Sequence, residues 1–362
     1  MVYNIAVHES FDFHSAEYEH LFAESKATAF QSPIWLTHIY ADLVDQLGAD
    51  PLIISARCKK SDELKLVLPM VRRRYNGLAV IEPADFGICD YNAVVAAPGV
   101  RRAFFEDQGL QSKIGSVLKP YQLIFFRKMP EECSFLMTAF DQPKVGEMDT
   151  CTYDTEIWGP FEEWQQQALS SSFRKELRRK RRKLEQHGEV RFEILSDADE
   201  IRQAIELLSE MRSQRFDDDL LKQQIYRTFY ANVAVEGAKT GECQTALLYA
   251  GNDITAVEFG LVHDNCYHFL LGGFDGQRFS KSSPGMLMIE HVLRERIQQG
   301  DSRADFTIGD EAYKAKFNAT PRPLKHVAVS GGFLGQLAHL AYENGGLLKK
   351  AAKTLANYKV AG

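Results

Sequence analysis

The chain lacks the features that would place it in a membrane or carry it out of the cell. None of its apolar runs approaches the roughly 20 residues that a spanning helix needs, and the longest, such as residues 66–71, have the length of a strand. The first residues have no basic start, no long apolar region and no small-residue cleavage site, so they do not predict a secretory signal. We therefore expect a cytoplasmic protein.

Cysteine and histidine are present without the spacing that binds metal. The six cysteines are scattered with no C-x-x-C, and the ten histidines form no H-E-x-x-H pattern. This distribution predicts reduced structural thiols and no metal site.

Basic charge is concentrated in one segment. Residues 173–187 contain eight Lys or Arg and two Glu, a net +6, which leaves −12 on the remainder of a chain of formal net charge −6. The pattern predicts a basic helix over 172–187, with Phe173, Leu177 and Leu184 on a narrow apolar stripe. Like charges four residues apart cost about 0.2–0.5 kcal/mol per pair, so we expect an anionic partner.

Several partners stay open for this helix. The protein's own carboxylates, for example in residues 216–220, are one. The others are a phosphate-bearing or polyanionic acceptor bound by Arg178 and Arg182, tRNA, or an anionic membrane surface at the inner face of the membrane. A dedicated nucleic-acid domain is disfavoured, because the helix has no interleaved aromatics and the rest of the chain is acidic.

Length and patterning predict two domains of the α+β class. Ser32 and Pro33 predict the start of an amphipathic helix that ends at Gly48, and residues 51–82 follow as an antiparallel meander. A polar, turn-rich stretch at 142–155 predicts the boundary. The domains then span residues 1–150 and 151–330, with a helical tail at 331–362 that packs on the domain or lies on a membrane surface.

The second half predicts a mixed, mostly antiparallel sheet flanked by helices. Strand patterns over 243–274 lead into a strand, loop, helix and strand that end at Gly309. The short connections predict a βαβ unit with parallel strands.

The residues at the start of the helix in this βαβ unit are of the types that form an anion site. Ser283 is suited to the N-cap and Pro284 to the first helical position, which leaves the N–H groups of Gly285 and Met286 free beside Lys281. The alternative is an ordinarily capped helix with nothing bound.

Two further segments flank that helix. Gly272 and Gly273 end the preceding strand, where a bulge could bring backbone N–H groups to an oxyanion, or a plain turn could form. Downstream, Asp310 is suited to cap a short helix that carries Tyr313 and Phe317 on one face. Tyr313 is also explicable as a core aromatic.

These residues resemble a known family. The path FDGQRFSKSSPGMLMIEHVLRERIQQG followed by ADFTIGDEAYKAKF is similar to the second domain of the FemAB-like, or CelD-like, branch of the GNAT acyltransferases. FRKELRRKRRKLEQHGEVRFEIL resembles the basic helix of that branch, and FQSPIWLTHIY with LVLPMVRRR resembles its N-terminal half. The resemblance implies two tandem GNAT-like domains, each a mixed sheet flanked by helices, with the cofactor site in the second alone.

The resemblance also implies a donor site and a proton donor. In relatives that use acyl-CoA, such as acetyl-CoA, the pyrophosphate lies at the start of the helix after the splayed strand. The matching positions are Arg278, Lys281, Ser282, Ser283, Gly285 and Met286. Tyr313 matches the tyrosine that protonates the departing thiolate. Because RFSKSSPGM has one glycine where the commoner loop has two, aminoacyl-tRNA stays open as the donor, as in the FemAB branch proper.

Acyl transfer to an amine also needs a base. Glu258 and His268 are the candidates, directly or through water, and each is also explicable as a polar residue on a half-exposed strand. Asp305, Asp310, Glu311 and Lys314 match the family's motif, as substrate-binding or as structural residues.

The leading hypothesis is an acyl-CoA-dependent N-acyltransferase. Its acceptor would be an amine of a sugar, an amino acid or a cell-envelope or exopolysaccharide precursor. The alternatives are an aminoacyl-tRNA-dependent ligase of the FemAB type and a non-catalytic component of an exopolysaccharide or membrane-associated assembly. The oligomeric state, the acyl length and the choice between N- and O-acylation stay open.

Overall fold

The computed structural model describes residues 3–75, 77–100, 108–130, 140 and 143–340. The chain divides into two compact units. The first comprises residues 1–27, 44–148 and 325–362, and the second comprises residues 28–43 and 149–324. Each unit is therefore assembled from segments that are separated in the sequence.

The strands and helices that position the site are as follows. The strands are β1 (Tyr3–His8), β2 (Ala49–Cys58), β3 (Leu64–Tyr75), β4 (Leu78–Pro83), β5 (Val95–Ala96), β6 (Leu123–Met129), β7 (Lys144–Glu156), β8 (Val190–Ile194), β9 (Cys243–Ala250), β10 (Asp253–His263), β11 (Cys266–Phe274), β12 (Arg303–Ile308) and β13 (Thr320–Ser330). The helices are α1 (Ala16–Glu24), α2 (Pro33–His38), α3 (Gln108–Val117), α4 (Phe161–Ala168), α5 (Ser171–Glu185), α6 (Ala198–Ser213), α7 (Gln224–Thr240), α8 (Gly276–Phe279), α9 (Pro284–Gln298) and α10 (Ala312–Lys316).

The first unit contains the predicted meander. Strands β1, β2, β3 and β4 pair in that order, each antiparallel to the next. Strand β4 then pairs parallel with β6, which pairs antiparallel with residues 325–330 of β13. The hairpin from β3 to β4 closes with Tyr75 opposite Leu78 and passes through Gly77 at φ 84°, while residue 76 lies outside the described residues.

The second unit has the predicted mixed sheet. Its strand order is β7, β12, β11, β10, β9, β8, and every pairing is antiparallel except β11 with β12, which is parallel. Helix α9 connects these two parallel strands, so the βαβ unit is confirmed. Both units are mixed, mostly antiparallel sheets flanked by helices, which confirms the predicted fold class.

Helices cover both faces of the second sheet. On one face, α5 and α9 share a buried cluster with Ala256, Tyr267 and Phe306 from the strands. On the other face, a Cβ at Gly273 would lie 2.8 Å from Leu208 of α6. Because side chains alternate along a strand, burial of apolar side chains on both faces specifies the register between β10 and β11.

The helix predicted from Ser32 begins at the expected residue, but its α-helical part ends well before Gly48. The Ser32 hydroxyl accepts a hydrogen bond from the Trp35 N–H at 3.3 Å, and Pro33 occupies the first turn. After His38 the chain continues as a π-helix over Ile39–Leu43 and then as turns to Gly48. This helical segment belongs to the second unit, although the strands that follow it belong to the first.

The predicted tail is described in part. Residues 333–340 are helical, and residues 341–362 lie outside the described residues. Within the described ranges no helix combines the length and apolarity needed to cross a membrane.

Candidate functional site

The strands β11 and β12 separate after three residue pairs. Cys266, Tyr267 and His268 pair with residues 303–305, and no further pair joins the two strands. An extra residue on β11 next to the Phe259 and Gly260 pairs forms a bulge, and Thr307 on β12 has a positive φ of 57°. The predicted bulge therefore lies just before Gly272 and Gly273, which themselves continue the ladder opposite Glu258 and Val257. Beyond His268 the pairing with β12 ends, and the Phe269 carbonyl accepts a hydrogen bond from the Thr307 hydroxyl at 3.0 Å.

Glu258 lies buried beside this opening. Its side chain is on the α9 face of the sheet, the residue is 4% exposed, and Oε1 has no hydrogen-bond partner within the described part of the chain. Burial raises the pKa of this carboxyl well above its usual range, and the charge of Arg212 opposes the shift. Gly272 is exposed directly across from it, and a Cβ there would lie 2.8 Å from Oε2. A small ligand can therefore approach a buried acid over a residue without a side chain.

His268 lies on the opposite face from Glu258. It pairs with Leu261, three residues from Glu258 along β10, and its ring packs edge-on against Phe30. Burial by itself lowers the pKa of His268, but the Cys266 sulfur and the Asp305 carboxylate, whose Oδ2 is 3.3 Å from Nδ1, raise it to about 10. The two predicted bases are thus not brought together, because they lie on opposite faces of the sheet.

Tyr313 on α10 lies on the same face as Glu258. Its ring is edge-on to Phe306, with centroids 6.3 Å apart. Burial raises the pKa of its hydroxyl, as do the charges of Glu311 and Glu258, while Arg215 and Arg212 oppose that rise. Tyr313, Glu258 and the two arginines therefore share one electrostatic environment, in which the phenol is held protonated and able to donate.

Lys314 supports the end of β12. Its side chain is 2% exposed, and Nζ donates to the carbonyls of Thr307, Ile308 and Gly309 at 3.2, 3.0 and 2.9 Å. Asp305 accepts from the Thr307 N–H at 2.7 Å. These contacts fix the kinked strand end, so both residues position the site's backbone.

Asp310 and Glu311 differ from their predicted geometry. The short helix begins at Ala312 with Glu311 at the N-cap position, and no side chain caps it, so the prediction of Asp310 as the cap is wrong. Asp310 instead accepts a hydrogen bond from the Tyr153 hydroxyl at 3.1 Å, since the extra residue moves it away from the helix axis. Glu311 lies 3.0 Å from the Lys314 ammonium.

The start of α9 is less open than predicted. Ser283 occupies the N-cap position in a left-handed conformation, φ 49° and ψ 57°, and its side chain makes no capping bond. The Met286 N–H donates to the Ser283 carbonyl at 3.1 Å, so the prediction that this group is free is wrong. Gly285 keeps its N–H for a ligand, and a Cβ there would lie 3.1 Å from the Phe274 ring.

One of the cations near the start of α9 comes from a distant part of the sequence. Lys281 is exposed, and Lys180 of α5 donates to its carbonyl at 3.0 Å. Ser282 is buried, and the Arg278 guanidinium is held by Asp253 at 2.7 Å. Lys180 and Lys281 thus lie side by side near the start of α9, and the charge of Arg278 is balanced by Asp253.

Helix α5 is confirmed as the basic helix. Phe173, Leu177 and Leu184 are buried, and Ser170 caps its start. Arg181 pairs with the buried Glu290 of α9 at 2.9 Å. The acidic residues 216–220 do not supply its partner, since Asp219 is bound by Arg212 at 2.7 Å.

Four cations of α5 point away from this attachment. They are exposed and have no ion pair within the described part of the chain: Lys175, Arg178, Arg179 and Arg182. The predicted substrate-facing Arg178 and Arg182 are among them. This row forms an exposed basic surface on the side of α5 that faces away from α9.

Two site residues carried no sequence signal. Arg212 donates to the Gly272 carbonyl at 3.2 Å, and the guanidinium of Arg215 lies 4.4 Å from the centroid of the Phe274 ring. Arg212 lies in the last turn of α6 and Arg215 follows that helix, where no periodicity or motif distinguishes them from surface arginines. In the described ranges no group of His, Cys, Asp or Glu could hold a metal ion.

Comparisons with known proteins identify the type of domain. Residues 171–315 match the family model of the acetyltransferase (GNAT) domain. FemX is similar in structure, with a TM-score of 0.62 at 11% identity over 88% of this chain and 96% of that one. A conserved protein from Bacteroides thetaiotaomicron has a TM-score of 0.58 at 10% identity, covering 90% of this chain and all of that one. L-PGS from Bacillus licheniformis has a TM-score of 0.54 at 10% identity over 87% and 91%. No curated protein sequence matches.

Proposed function

Because residues 171–315 are a GNAT domain within a FemAB-like double GNAT fold, we propose that this protein transfers an acyl group from acyl-CoA to an amine. One observation carries the proposal. The buried carboxyl of Glu258 faces exposed Gly272 at the point where β11 and β12 separate, on the same face as the Tyr313 phenol. The proposal takes Glu258 as the base, Tyr313 as the acid and the gap between β11 and β12 as the place where the substrates meet.

The donor would be held by its phosphates at the start of α9. The Gly285 N–H and the positive end of the helix dipole offer backbone contacts, and Lys281 and Lys180 offer charge. The thioester arm would then run along β11 beyond Phe269, whose carbonyl accepts from the Thr307 hydroxyl at 3.0 Å, in the gap where the pairing of β11 with β12 has ended.

The reaction removes two protons from the acceptor ammonium and supplies one to the departing thiolate. Glu258 accepts a proton from the acceptor ammonium, directly or through water, and its raised pKa makes it a stronger base than an ordinary carboxylate. The neutral amine attacks the thioester carbon, and β11 beyond Phe269 offers N–H donors to the oxygen. As the C–S bond breaks, the Tyr313 hydroxyl donates its proton to the thiolate, and the resulting phenolate takes the second proton from the amine nitrogen as the amide forms. Glu258 then releases its proton to solvent. Asp305 and Lys314 hold the backbone and exchange no proton with substrate.

Calorimetry tests the donor. Titration with acetyl-CoA and longer acyl-CoAs should show binding that weakens in Lys281→Ala and in Lys180→Ala, with Lys239→Ala, on α7, as the control. Folded protein that binds no acyl-CoA would overturn the proposal.

Turnover tests the chemistry. With a panel of amine acceptors, Glu258→Gln should lower kcat by about 10²–10⁴. Gly272→Ala should block the approach to Glu258 and abolish turnover while acyl-CoA binding persists, because its Cβ would stand 2.8 Å from Oε2. Unchanged turnover in both variants would exclude Glu258 as the base.

A second candidate is an aminoacyl-tRNA-dependent ligase. The observation that favours it is the exposed row Lys175, Arg178, Arg179 and Arg182, which has no acidic partner in the described ranges. It predicts tRNA binding that falls steeply with salt and is lost when these four become Ser. Arg181 should be kept, since it holds Glu290. Retained acyl-CoA turnover without tRNA binding would decide for the first candidate.

The acceptor and the cellular location are also proposals. We expect an amine of a sugar, an amino acid or an envelope precursor, in the cytoplasm, with peripheral membrane association as an alternative use of the basic row. Liposome pelleting that persists in a Tyr313→Phe, Lys281→Ala variant, with no transferase activity in the wild type, would instead favour a non-catalytic role.

A further inference from the structure

The first unit contains a second pair of parallel strands that separate early. Counted from the β1 edge, β4 and β6 are the fourth and fifth strands, as β11 and β12 are when counted from β8. They pair only through Val80 with Leu123 and Ile81 with Ile124. Beyond these pairs lies a cavity of about 50 Å³, lined among others by Glu82, Asp85 and Asn92 on the β4 side and by Phe125 and Arg127 on β6.

The two carboxylates of this cavity are already neutralised. Both are buried, Glu82 at 8% and Asp85 at 4% exposed. Glu82 lies 3.3 Å from the Arg73 guanidinium and accepts a hydrogen bond from the Tyr75 hydroxyl at 2.7 Å. Asp85 lies 3.2 Å from the Lys128 ammonium and accepts three further hydrogen bonds from the loop that follows it. Neither carboxylate is left to balance another cation.

Arg127 is a cation of this cavity that lacks a counter-ion. Its guanidinium lies 5.5 Å from the centroid of the Phe125 ring, and the residue is half-buried. Within the described ranges no carboxylate is at ion-pair distance from it. Because the two ion pairs beside it cancel, the cavity keeps the one positive charge of Arg127. Partial burial removes water from this charge, and a bound anion replaces that water with charge-assisted hydrogen bonds.

The size and charge of the cavity favour a carboxylate. One water needs roughly 10–15 Å³ of such space, so the cavity has room for a group of about three to five atoms. A carboxylate with one or two further carbons has this size, carries one negative charge and matches two parallel N–H groups of a guanidinium. A phosphate dianion would bring a second negative charge beside Glu82 and Asp85.

We propose that this cavity binds the carboxylate end of a small organic acid, with Arg127 as its counter-ion. The hydrogen bonds to Asp85 hold the loop side of the cavity in place before the ligand arrives. In that loop Phe86 has a left-handed φ of 49°, a conformation that bulky residues adopt chiefly at ligand-binding and catalytic sites. The inference does not rest on the proposed acyl transfer, since every residue in it belongs to the first unit.

Saturation-transfer NMR with sodium acetate tests the site at an ionic strength fixed with sodium chloride. The acetate methyl group should receive saturation from the wild type in a saturable manner, and the methyl group of acetamide, the uncharged isostere, should not. Arg127→Ala should weaken acetate binding about 10- to 100-fold, the loss of one charge-assisted contact. Formate should displace acetate at a lower concentration than inorganic phosphate does. Equal transfer to acetate and acetamide, no saturable transfer, or stronger displacement by phosphate would overturn the proposal.

Three further variants separate binding from folding. Arg127→Lys should recover part of the affinity, since it keeps the charge without the fork. Arg74→Ala removes the same charge from an exposed position on β3 and should change nothing. Glu82→Gln leaves the Arg73 charge unbalanced, so acetate should bind several-fold more tightly, a gain that a misfolded protein cannot give. Unchanged binding in Arg127→Ala, or weaker binding in Glu82→Gln with an intact unfolding transition, would overturn the role of Arg127.

Discussion

At the scale of the residue, the Glu258 carboxyl is buried, and its Oε1 has no hydrogen-bond partner in the described ranges. Its pKa in the folded protein is raised above the ordinary 4.5, so the folded state binds the proton more tightly than the unfolded one. The Glu258 contribution to the free energy of unfolding therefore falls as pH rises from about 4.5 towards the folded pKa.

Glu258→Gln should remove this loss. We expect the variant and the wild type to unfold alike near pH 4, and the variant to be the more stable at pH 8, because the amide cannot ionise. Urea unfolding at the two pH values measures the difference. A variant that is less stable at pH 8 would show that the carboxylate has a partner in the folded state.

His291 predicts the opposite dependence. Its ring stacks on Phe192 at 5.4 Å, and burial, with the charges of Arg181 and Arg294, lowers its pKa from 6.5 to about 4. The stability that comes from neutral His291 is complete above pH 6.5 and is lost as pH falls towards 4, at most about 3 kcal/mol. His291→Phe keeps the stack and should flatten this part of the pH profile in urea titrations. An unchanged slope between pH 6.5 and 4 would contradict the assignment.

At the scale of the element, the end of β12 depends on one buried ammonium. Lys314→Met removes three hydrogen bonds to backbone carbonyls, each worth about 1 kcal/mol net, so we expect a loss of about 3 kcal/mol and a fall in kcat. Lys316→Met is the control, since its pair with Glu176 is exposed and worth at most about 1 kcal/mol. Equal losses in the two variants, by chemical denaturation, would contradict the supporting role of Lys314.

Elements were predictable where the pattern is periodic or a cap is specific. The meander, the basic helix and the βαβ unit follow from alternation, from the 3.6-residue stripe and from short connections. The sequence pattern does not predict whether Glu258 and His268 lie on the same face of the sheet. Alternation gives the face of each residue only within its own strand, and the register between β10 and β11 also includes a bulge.

The site was only partly predictable for related reasons. Ser283 has the residue type of a cap and a left-handed backbone that prevents capping, which composition does not encode. Arg215 is in a non-periodic stretch, and its neighbour Phe274 is 59 positions away in the sequence. Lys180 reaches the Lys281 carbonyl through the packing of α5 and α9, a tertiary contact.

At the scale of the whole molecule, each of the two compact units is built from segments that are not consecutive in the sequence. Residues 28–43 belong to the second unit and residues 325–362 to the first, an exchange with no counterpart in the predicted consecutive domains. Membership depends on what a segment packs against, and amphipathicity alone does not identify the partner.

Because residues 28–43 belong to the second unit, a substitution there should destabilise residues that are distant in the sequence. Trp35 is fully buried against Phe229 and Tyr230, with centroids at 5.1 and 6.0 Å. Trp35→Ala should cost about 3–5 kcal/mol and should destabilise the unit that contains residues 149–324. Hydrogen exchange of α7 and β9 measures this. Protection lost only in β2 and β3 would contradict it.

The late return of β13 has a consequence for synthesis on the ribosome. Strand β6 obtains its antiparallel partner only when residues 325–330 emerge, and the unit built on residues 149–324 is completed only shortly before. Domains that are continuous in sequence fold one after another as they are made. Here the N-terminal half must wait, with the edge of β6 uncovered, until most of the chain has been translated.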